Sequence, residues 1–544
     1  MVVAMRHLPV LLCCAALGAA VAAQGSAPFN DSIRVSDLKA DLYFLAGPGF
    51  KGRLVGTPEN ALAADFVRSR FERAGLKPGA PDGSYVQTNH LMVATLGQAN
   101  RVDLTLPDGA HLELTTGQGF YPHRFSASGA VAAPVVYAGF GIHSPALGYD
   151  DYGDRVKGRI VLILEHEPGE RDPDSPFDGV VTAEAAVAIK KALAAQEKGA
   201  VGVLFVTDVH NHPGAANFDA AARNYWPQQA PRIDRFTLAS WADRVRIPVG
   251  QISPAVAEIL VRGTGRPLLD LAKAAETSSG FAALALDGVT ASITTSVDRH
   301  IVPDRNVLAY VEGSDPVLKN EVVIVSAHYD HEGADDNVVY AGADDDGSGT
   351  VALLEIAEAY AMAVAANQRP RRSVLFACWG SEERGPLLGA WGYTEQPTFP
   401  LASTVAVLNM DMVGRNEEVP VGGGGRFGGL EVQTAESNRN AMNILGYSRY
   451  PALSSVVDRV NQASYRLELK KRYDNNRSNL LRRSDQWPFL QNGVPALWFH
   501  TGLHPDYHTQ YDVPERINYE KMETIARLVH QVSWVLANEE GRPR

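Results

Sequence analysis

Short, continuously apolar segments alternate with helical patterns through the C-terminal half of the chain. Four of these segments are expected to form buried strands: EVVIVSA (321–327), SVLFACW (373–379), STVAVLNM (403–410) and VPALWFH (494–500). Helices are predicted from Ser348 to about Ala366 and from about Tyr519 to Asn538. Apolar strands separated by helices are typical of a parallel sheet with helices on both faces. The pattern predicts an α/β fold with a mainly parallel mixed sheet for residues 289–544.

The N-terminal half has a different texture. The segment ALAADFVRSRFERAGL (61–76) repeats apolar residues at close to 3.6 positions and predicts a helix. From about 97 to 288, short strands such as GRIVLILE and GAVGVLFVTD are separated by Gly and Pro turns. We therefore predict that residues 24–96 open the α/β domain and that a strand-rich domain at 97–288 interrupts it. This inserted domain is expected to flank the active cleft.

The first 23 residues predict a secretory signal peptide. Arg6 and His7 precede an apolar run from Leu8 to Ala23. That run is shorter than the ~20 residues that a membrane-spanning helix needs. We expect cleavage near Ala23 and a secreted or periplasmic protein that keeps no membrane anchor after processing. Cys378 is then the one cysteine of the mature chain, and its apolar surroundings predict a buried residue and not a nucleophile.

The charge balance argues against nucleic acid as a partner. The chain has 62 acidic and 50 basic residues, which gives a net charge of −12. Proteins that bind nucleic acid usually present a basic face to the phosphates. A peptide is the expected substrate, and the oligomeric state is left open.

Carboxylate and imidazole side chains follow each predicted strand. The polar residues in these positions are His328 and Asp330, Glu382 and Glu383, Asp411, and the histidines of HTGLHPDYHTQYD. A further acidic loop, GADDDGSG (342–349), precedes a helix. The crevice of an open α/β sheet lies at the carboxyl ends of its strands, so these groups are expected to lie close together. Crowded carboxylates repel one another unless cations lie among them.

The types of side chain indicate which metal is bound. Imidazole and carboxylate ligands without thiolate suit zinc best, with manganese and cobalt as alternatives. The candidate ligands exceed the three that one catalytic zinc usually takes, so two ions fit better than one. Paired ions share a bridging carboxylate and an activated water molecule.

Six motifs occur in the order seen in a known family. They are AHYDHEG, GADDDGSG, WGSEERG, LNMDMVGR, RRSDQWPF and YHTQYD. In these motifs the chain resembles the co-catalytic zinc exopeptidases, which include bacterial secreted leucyl aminopeptidases and glutamate carboxypeptidase II. The resemblance covers about 289–540 and the N-terminal motif KGRLVGTPEN. The inserted domain resembles a protease-associated domain through YAGFG, DDYGDRVKGRIVLI and EKGAVGVLFVTD.

The resemblance implies two Zn²⁺ ions per chain and a set of five ligands. These ligands are His328, Asp345, Glu383, Asp411 and His508. Asp345 would bridge the ions, His328 and Asp411 would share one ion, and Glu383 and His508 would share the other. The resemblance also implies a cis peptide bond between Asp345 and Asp346.

Three further side chains receive catalytic roles from the resemblance. Glu382 would be the general base. Asp330 would orient the ring of His328, as carboxylates beside ligating histidines usually do. Tyr507 would stabilise the oxyanion.

Several polar neighbours are interpreted as structural. The family motif commonly has SDH where this chain has Asp485 and Gln486, and Gln486 receives no ligand role. His504 lies four residues before His508, but Pro505 favours a loop between them. His331, Asp344 and Asp346 are expected to be hydrogen-bonding or capping groups.

Together these features predict a secreted zinc exopeptidase, and among exopeptidases they favour an aminopeptidase. Three alternatives share the fold: a carboxypeptidase, a glutaminyl cyclase with a single zinc, and a binding protein without activity. The complete ligand set favours the peptidase. Loops in 415–480 shape the specificity pocket, and sequence patterns do not give their structure.

Overall fold

The chain builds two large β-structures. Within residues 26–214, 217–383 and 386–543, which a computed structural model describes, it forms a ten-stranded mixed sheet, a closed barrel and a small two-stranded sheet. The predicted signal peptide and its cleavage near Ala23 lie outside the described residues. The peptide bond between Asp345 and Asp346 is cis, as predicted.

The described strands and helices follow in chain order. The strands are β1 (Lys77–Pro78), β2 (Val86–Leu96), β3 (Arg101–Thr105), β4 (His111–Thr116), β5 (Gly119–Pro122), β6 (Gly129–Tyr137), β7 (His143–Ser144), β8 (Tyr149–Asp150), β9 (Ile160–Leu164), β10 (Gly202–Val206), β11 (Phe236–Leu238), β12 (Val249–Ile252), β13 (Leu284–Thr295), β14 (Val297–Val311), β15 (Val322–His328), β16 (Ser373–Trp379), β17 (Thr404–Met410), β18 (Ala441–Leu445), β19 (Glu468–Lys470) and β20 (Ala496–His500). The α-helices are α1 (Val35–Leu45), α2 (Pro58–Arg73), α3 (Ala188–Glu197), α4 (Phe218–Tyr225), α5 (Ala239–Arg244), α6 (Pro254–Val261), α7 (Leu268–Ala275), α8 (Gly349–Ala365), α9 (Leu388–Glu395), α10 (Pro451–Val460), α11 (Gln486–Gln491) and α12 (Tyr519–Asn538).

The centre of the large sheet is parallel, and the strand next to it on each side is antiparallel to it. The strand order is β11–β2–β14–β16–β15–β17–β20–β18–β19, with β1 paired to β14. Strands β16, β15, β17 and β20 run parallel. Their neighbours β14 and β18 run antiparallel to them. This confirms the predicted mixed sheet, and the four apolar segments form its central strands at nearly the predicted residues.

Helices cover both faces of this sheet. Along β15, Val323 and Val325 join one apolar core with residues of α1, α2, α8 and α12. Val322 and Ile324 join another core with residues of α9 and α11. Successive strand residues point to opposite faces, so a strand buried on both faces must be apolar throughout. The predicted three-layer arrangement is confirmed.

Local signals set the ends of the helices. The Thr57 hydroxyl accepts a hydrogen bond from the Asn60 amide at the start of α2, and Pro58 occupies the first turn. The Asn518 side chain caps α12 in the same way. Helix α12 closes the domain against the N-terminal segment, where Oδ1 of Asn30 lies 2.9 Å from Nδ1 of His530.

The closed barrel lies within a second domain, residues 101–295, called here the barrel domain. The order of its strands is β10–β12–β5–β4–β3–β13–β6–β9. One short strand from this region, β11, leaves the barrel and pairs with β2 of the large sheet. Strand β13 continues to Thr295, beyond the predicted end of the insert at 288, and the predicted domain boundaries stay predictions.

One described helical stretch, Ala343–Ala365, has the length and hydropathy of a membrane span. Of the most apolar 18-residue window in this stretch, 72% is buried inside the protein. It contains α8, whose residues Val351 and Leu353 lie in the core against the sheet. A core helix meets the same criteria of length and hydropathy, so this stretch gives no evidence for a membrane.

Cys378 lies in β16 and is buried, as predicted. Burial raises the pKa of its thiol to about 12, which makes it a poor nucleophile.

Candidate metal centre

Four neighbouring strands deliver polar side chains to one edge of the sheet. β15 ends at His328, β16 is followed by Glu382 and Glu383, and β17 is followed by Asp411. The loop after β20 carries His508. These strands are parallel neighbours, so their carboxyl ends meet at the same edge. The structure brings together all five predicted ligands there.

The first group of candidate ligands surrounds His328, which is fully buried. Its Nε2 atom lies 3.4 Å from Oδ1 of Asp345 and 3.8 Å from Oδ1 of Asp411. Oε2 of Glu382 also lies 3.8 Å from this nitrogen. An ion among these atoms would have one imidazole and two carboxylate ligands, with Glu382 beside it.

The second group surrounds His508. Its Nε2 atom lies 2.9 Å from Oδ2 of Asp345 and 3.0 Å from Oε2 of Glu383. Asp345 therefore offers Oδ1 to one group and Oδ2 to the other. This is the arrangement that a carboxylate bridging two ions needs.

The buried polar atoms of this centre fit a cation. Both ring nitrogens of His328 and Nε2 of His508 are buried and have no hydrogen-bond partner. Burial alone would lower the pKa of His328, but the carboxylates around it raise that pKa well above its ordinary value. Burial and the Asp411 carboxylate, opposed by His328, raise the pKa of Glu382. Bound cations would replace the protons that these shifts favour.

The loop that carries Asp345 is held by its acidic neighbours. Oδ1 of Asp346 accepts from the amides of Gly349 and Met412, and Oδ2 accepts from the amide of His328. The Asp344 carboxylate accepts from the Gly414 amide at 2.7 Å. Both outer acids thus accept hydrogen bonds from backbone amides, which is the hydrogen-bonding role interpreted from the sequence.

Asp330 lies beside the centre but contacts different groups from those predicted. Its Oδ1 lies 3.6 Å from Nδ1 of His328, which is too long for a hydrogen bond. The carboxylate instead accepts from the backbone amides of Glu382 at 3.0 Å and Glu383 at 3.3 Å. Asp330 therefore fixes the turn that carries both glutamates more directly than it orients the histidine.

Two side chains of the AHYDHEG motif hold the second group in place. Nδ1 of His331 lies 2.6 Å from Oε1 of Glu383, in the hydrogen-bonding role expected for it. Oε1 of Glu332 lies 2.9 Å from Nδ1 of His508. Sequence reasoning missed Glu332, although its motif was recognised.

Arg53 joins two loops of the centre and was also missed. Its buried guanidinium donates to the carbonyl oxygens of Tyr329 at 2.6 Å, Ala341 at 2.7 Å and Gly342 at 2.9 Å. These carbonyls flank Asp330 on one side and lead to Asp345 on the other. The signal was the motif KGRLVGTPEN, which contains Arg53.

A chain of buried side chains orients Asp411. Ser326 donates to Asn409 at 2.8 Å, and Asn409 donates to Ser484 at 2.8 Å. The Ser484 hydroxyl donates a short hydrogen bond to Oδ2 of Asp411. The motif RRSDQWPF thus reaches the centre through its serine, which sequence reasoning did not single out.

The remaining polar candidates stay outside the two groups. Gln486 is buried and donates from Nε2 to the carbonyl of Leu481 at 2.6 Å. Asp485 is buried as well, and burial raises its pKa well above the ordinary value. Nε2 of His504 lies 3.3 Å from Oδ2 of Asp344, in the loop position expected for it.

A cavity of about 470 Å³ opens onto the centre. Its apolar wall includes Leu387, Met412, Leu480, Trp498 and Leu503, and its polar wall includes Asn479, Arg482, Arg483 and Tyr507. The Tyr507 hydroxyl accepts from Nη2 of Arg483 at 3.1 Å. Burial raises the pKa of Tyr507 to about 12, so its hydroxyl keeps its proton near neutral pH. Tyr507 can therefore donate to a developing oxyanion.

The barrel domain supports one wall of this cavity. The Thr182 amide donates to Oδ1 of Asn479, and Arg482 donates to the Thr182 carbonyl, both at 2.9 Å. Nε1 of Trp487 donates to Glu184 at 3.3 Å. The domain thus flanks the cleft, as predicted.

Comparison with known families agrees with this geometry. Residues 306–533 match the model of Peptidase family M28, and residues 131–260 match that of the PA domain. The chain carries an M28 peptidase domain and a PA domain. The M28 match contains the five candidate ligands, and the PA match lies within the barrel domain.

The curated relatives of this chain bear different activity names. It is 26% identical over 514 residues to "Probable glutamate carboxypeptidase VP8" of Zea mays, covering 88% of this chain and 62% of that protein. It is 38% identical over 109 residues to "Aminopeptidase NAALADL1" of Mus musculus, covering 20% and 13%. The chain spans about 51 to 62% of the length of the first curated relatives it matches.

Among solved structures, the aminopeptidase from Aneurinibacillus sp. strain AM-1 is similar at 17% identity, with a TM-score of 0.47, covering 95% of this chain and 97% of that one.

Proposed function

We propose that the chain is a di-zinc exopeptidase, and specifically an aminopeptidase that releases the first residue of peptides. The position of Asp345 carries this proposal. Its two carboxylate oxygens face two separate groups of imidazole and carboxylate ligands. A centre of this kind suits zinc by ligand type and a hydrolase by the pairing of its ions.

Two zinc ions bound there would polarise the scissile carbonyl and acidify the attacking water molecule. The chain's own residues supply proton transfer and orientation. Glu382 lines the cavity beside the first group, where it can take the proton from the water and return it to the leaving amine. Asp330 holds its backbone in place. The Tyr507 hydroxyl is the donor proposed for the oxyanion.

The cavity supports a preference for an apolar terminal residue. Its volume of about 470 Å³ suits one side chain with its adjoining peptide bond. Leu387, Met412, Leu480 and Leu503 offer that side chain an apolar surface. A free α-amine can lie at the metal side of this cavity, where the carboxylates converge.

Zinc content and a substrate screen test the proposal. The purified chain should hold about two zinc ions at the centre and lose activity on chelation. Amino-acid anilides with leucine or phenylalanine should be cleaved faster than N-blocked dipeptides that end in glutamate. A centre with about one zinc and cyclisation of N-terminal glutamine would support the glutaminyl cyclase instead. If the chain took up no zinc and cleaved no peptide, the result would support the binding-protein alternative.

A carboxypeptidase is the second candidate, because Arg483 lines the cavity. Its guanidinium contacts the Tyr507 hydroxyl and can form paired hydrogen bonds with a substrate carboxylate. Under this alternative, N-blocked dipeptides should be the better substrates. Arg483→Leu should then raise their KM by about tenfold or more, since a charge-assisted hydrogen bond is worth ~1.5–3 kcal/mol.

We also propose that the protein is exported. The apolar N-terminal run supports a secretory signal. N-terminal sequencing of the protein recovered outside the cytoplasm should begin near Gln24. A protein that retains Met1 would contradict export by this signal.

A further inference from the structure

A second cluster of side chains that could hold a metal ion lies in the barrel domain, and its members do not line the cavity at the metal centre. It consists of His166, Glu170 and His212. Nε2 of His212 lies 2.8 Å from Oε1 of Glu170, and Nδ1 of His166 lies 3.4 Å from Oε2 of the same carboxylate. The two imidazole rings are stacked, with centroids 3.9 Å apart and planes 21° from parallel.

The topology of the barrel brings these residues together. Strands β9 and β10 are parallel neighbours, and Leu164 pairs with Val206 where both strands end. His166 and Glu170 follow β9, and His212 follows β10. The cluster is therefore at the carboxyl edge of a parallel strand pair, as the metal centre of the large sheet is.

Other residues hold the two loops in this arrangement. Glu276 accepts from the Gly169 amide at 2.7 Å and from Nδ2 of Asn211 at 2.6 Å. Gly169 and Asn211 each stand directly before a member of the cluster. The buried Lys191 donates to the carbonyl of His166. Hydrogen bonds from residues outside the cluster therefore hold the two loops that carry its three side chains.

The chemistry of the cluster suits a borderline divalent cation. Two imidazole nitrogens and one carboxylate are a common ligand set for zinc, and tetrahedral ligands at ~2.0 Å from an ion lie ~3.3 Å apart. The observed separations of 2.8 and 3.4 Å are close to this value. Burial and the neighbouring His212 lower the pKa of His166, which keeps its ring in the neutral form that binds metal.

A plain ion pair explains these contacts less well. Glu170 can pair with one protonated histidine, and His212 at 2.8 Å would satisfy it. A second charge on the stacked ring of His166 would repel the first. A shared cation explains why both rings face one carboxylate. The side chains of His166 and His212 remain 39% and 34% exposed, which leaves room for a water molecule as a further ligand.

We propose that His166, Glu170 and His212 form a zinc-class cation site in the barrel domain, separate from the M28 centre. The site lies at the start of a segment that leads to the cavity. Along that segment, the Glu167 carboxylate accepts from the Ala183 amide at 2.9 Å, and Thr182 contacts Asn479 and Arg482. An ion would therefore stabilise the segment that supports one wall of the cavity.

Metal content of the full-length protein tests this proposal. Wild type, His166→Ala/His212→Ala and His111→Ala are dialysed against a series of buffered free Zn²⁺ concentrations, and bound zinc is measured by mass spectrometry. His111 is an exposed histidine on β4 of the same barrel and serves as the matched control. The double variant should hold about one ion per chain fewer than wild type, because two of its three protein ligands are gone. His111→Ala should match wild type.

A second variant guards against misfolding of the first. Glu170→Gln keeps the size of the side chain and should lose the same ion. Glu276→Gln should weaken zinc binding about tenfold without abolishing it, because Glu276 acts on the loops and not on the ion. Zinc should also raise the unfolding temperature of Glu170→Gln and of the double variant less than that of wild type and His111→Ala, and Ca²⁺ should have no such effect.

Equal zinc content in wild type, Glu170→Gln and the double variant across the whole series would overturn the proposal. The result is independent of the M28 centre. If wild type held one ion and the double variant none, the barrel site would be supported and the di-zinc centre contradicted.

Discussion

The carboxylate of Asp330 lies 3.0 Å from the backbone nitrogen of Glu382. The same carboxylate accepts from the next amide, that of Glu383. One buried acid therefore sets the direction of the proposed base and of a proposed ligand, while standing beside His328 as well. A turn held in this way can point two adjacent glutamates at different targets, which the proposed mechanism requires.

The clearest test separates these two glutamates. Glu382→Gln keeps size and hydrogen bonding but removes the proton acceptor, so kcat should fall by ~10²–10⁴-fold. Its zinc content should stay near that of wild type. Glu383→Gln replaces an anionic ligand with a neutral amide, so zinc should bind more weakly and added zinc should partly restore activity. If Glu382→Gln lost zinc and Glu383→Gln did not, the two roles would be reversed.

Asp330→Asn should slow catalysis while both ions stay bound. The amide can accept at one position only, so one of the two backbone hydrogen bonds is lost and the glutamates lose their fixed direction. We expect kcat to fall by about 10- to 100-fold, as for other groups that orient metal-site residues. Asp335→Asn is the control, because Asp335 also caps backbone amides but is exposed. Equal kcat values in the two variants would refute the positioning role.

Ser484→Ala should weaken zinc binding at the first group. The hydroxyl donates to Oδ2 of Asp411, and its loss frees that carboxylate to rotate. An affinity about tenfold lower is expected from the loss of such a partner. Ser454→Ala provides the control, because Ser454 is also a buried serine but lies in α10. Zinc titrations that coincide for the two variants would show that Asp411 needs no support.

Arg482→Met should raise KM more than it lowers kcat. Arg482 lines the cavity and donates to Thr182 of the barrel domain, so its loss should loosen the wall without touching Glu382. Arg449→Met removes another contact between the domains, to Asp178, away from the lining residues. Steady-state kinetics should show a larger KM for Arg482→Met alone. A fall in kcat with unchanged KM would contradict the role of the wall.

Asp304→Asn tests a buried acid on β14. Burial raises the pKa of Asp304 to about 7, above the ~3.9 of an unfolded chain. The folded state then favours the neutral acid, so its contribution to stability is complete below pH ~4 and is lost as pH rises through about 7. As pH rises from ~5 to ~8, the free energy of unfolding of Asp304→Asn should increase by a few kcal/mol relative to that of wild type. Denaturant unfolding at both pH values measures this, and Asp298→Asn, exposed on the same strand, should show no such trend.

The sequence predicted the central sheet and most of the metal centre for a physical reason. Strands buried on both faces are apolar throughout, so a polar group directly after one marks the edge where a site can form. His328, Glu382, Glu383 and Asp411 all follow this pattern. The short strands β18 and β19 do not, because they lie among loops in 415–480 and have no long apolar run.

The supporting residues could not be predicted in the same way. Arg53 acts through three backbone carbonyls more than 270 residues away, and a backbone carbonyl has no sequence signature. Ser484, in a loop, depends on Asn409 of β17 and Ser326 of β15. Likewise, His166 and His212 become neighbours only because β9 pairs with β10.

The contact between Asn30 and His530 has a consequence for the timing of assembly. Arg53, near the beginning of the chain, must reach the loops around the centre, and His508 is made near the end. During synthesis, the Asn30–His530 contact cannot form, and the candidate ligand set cannot be complete, until His508 and α12 have both left the ribosome. A nascent chain that stops before His508 would lack one of the five candidate ligands, so binding of the complete metal pair would be a late event.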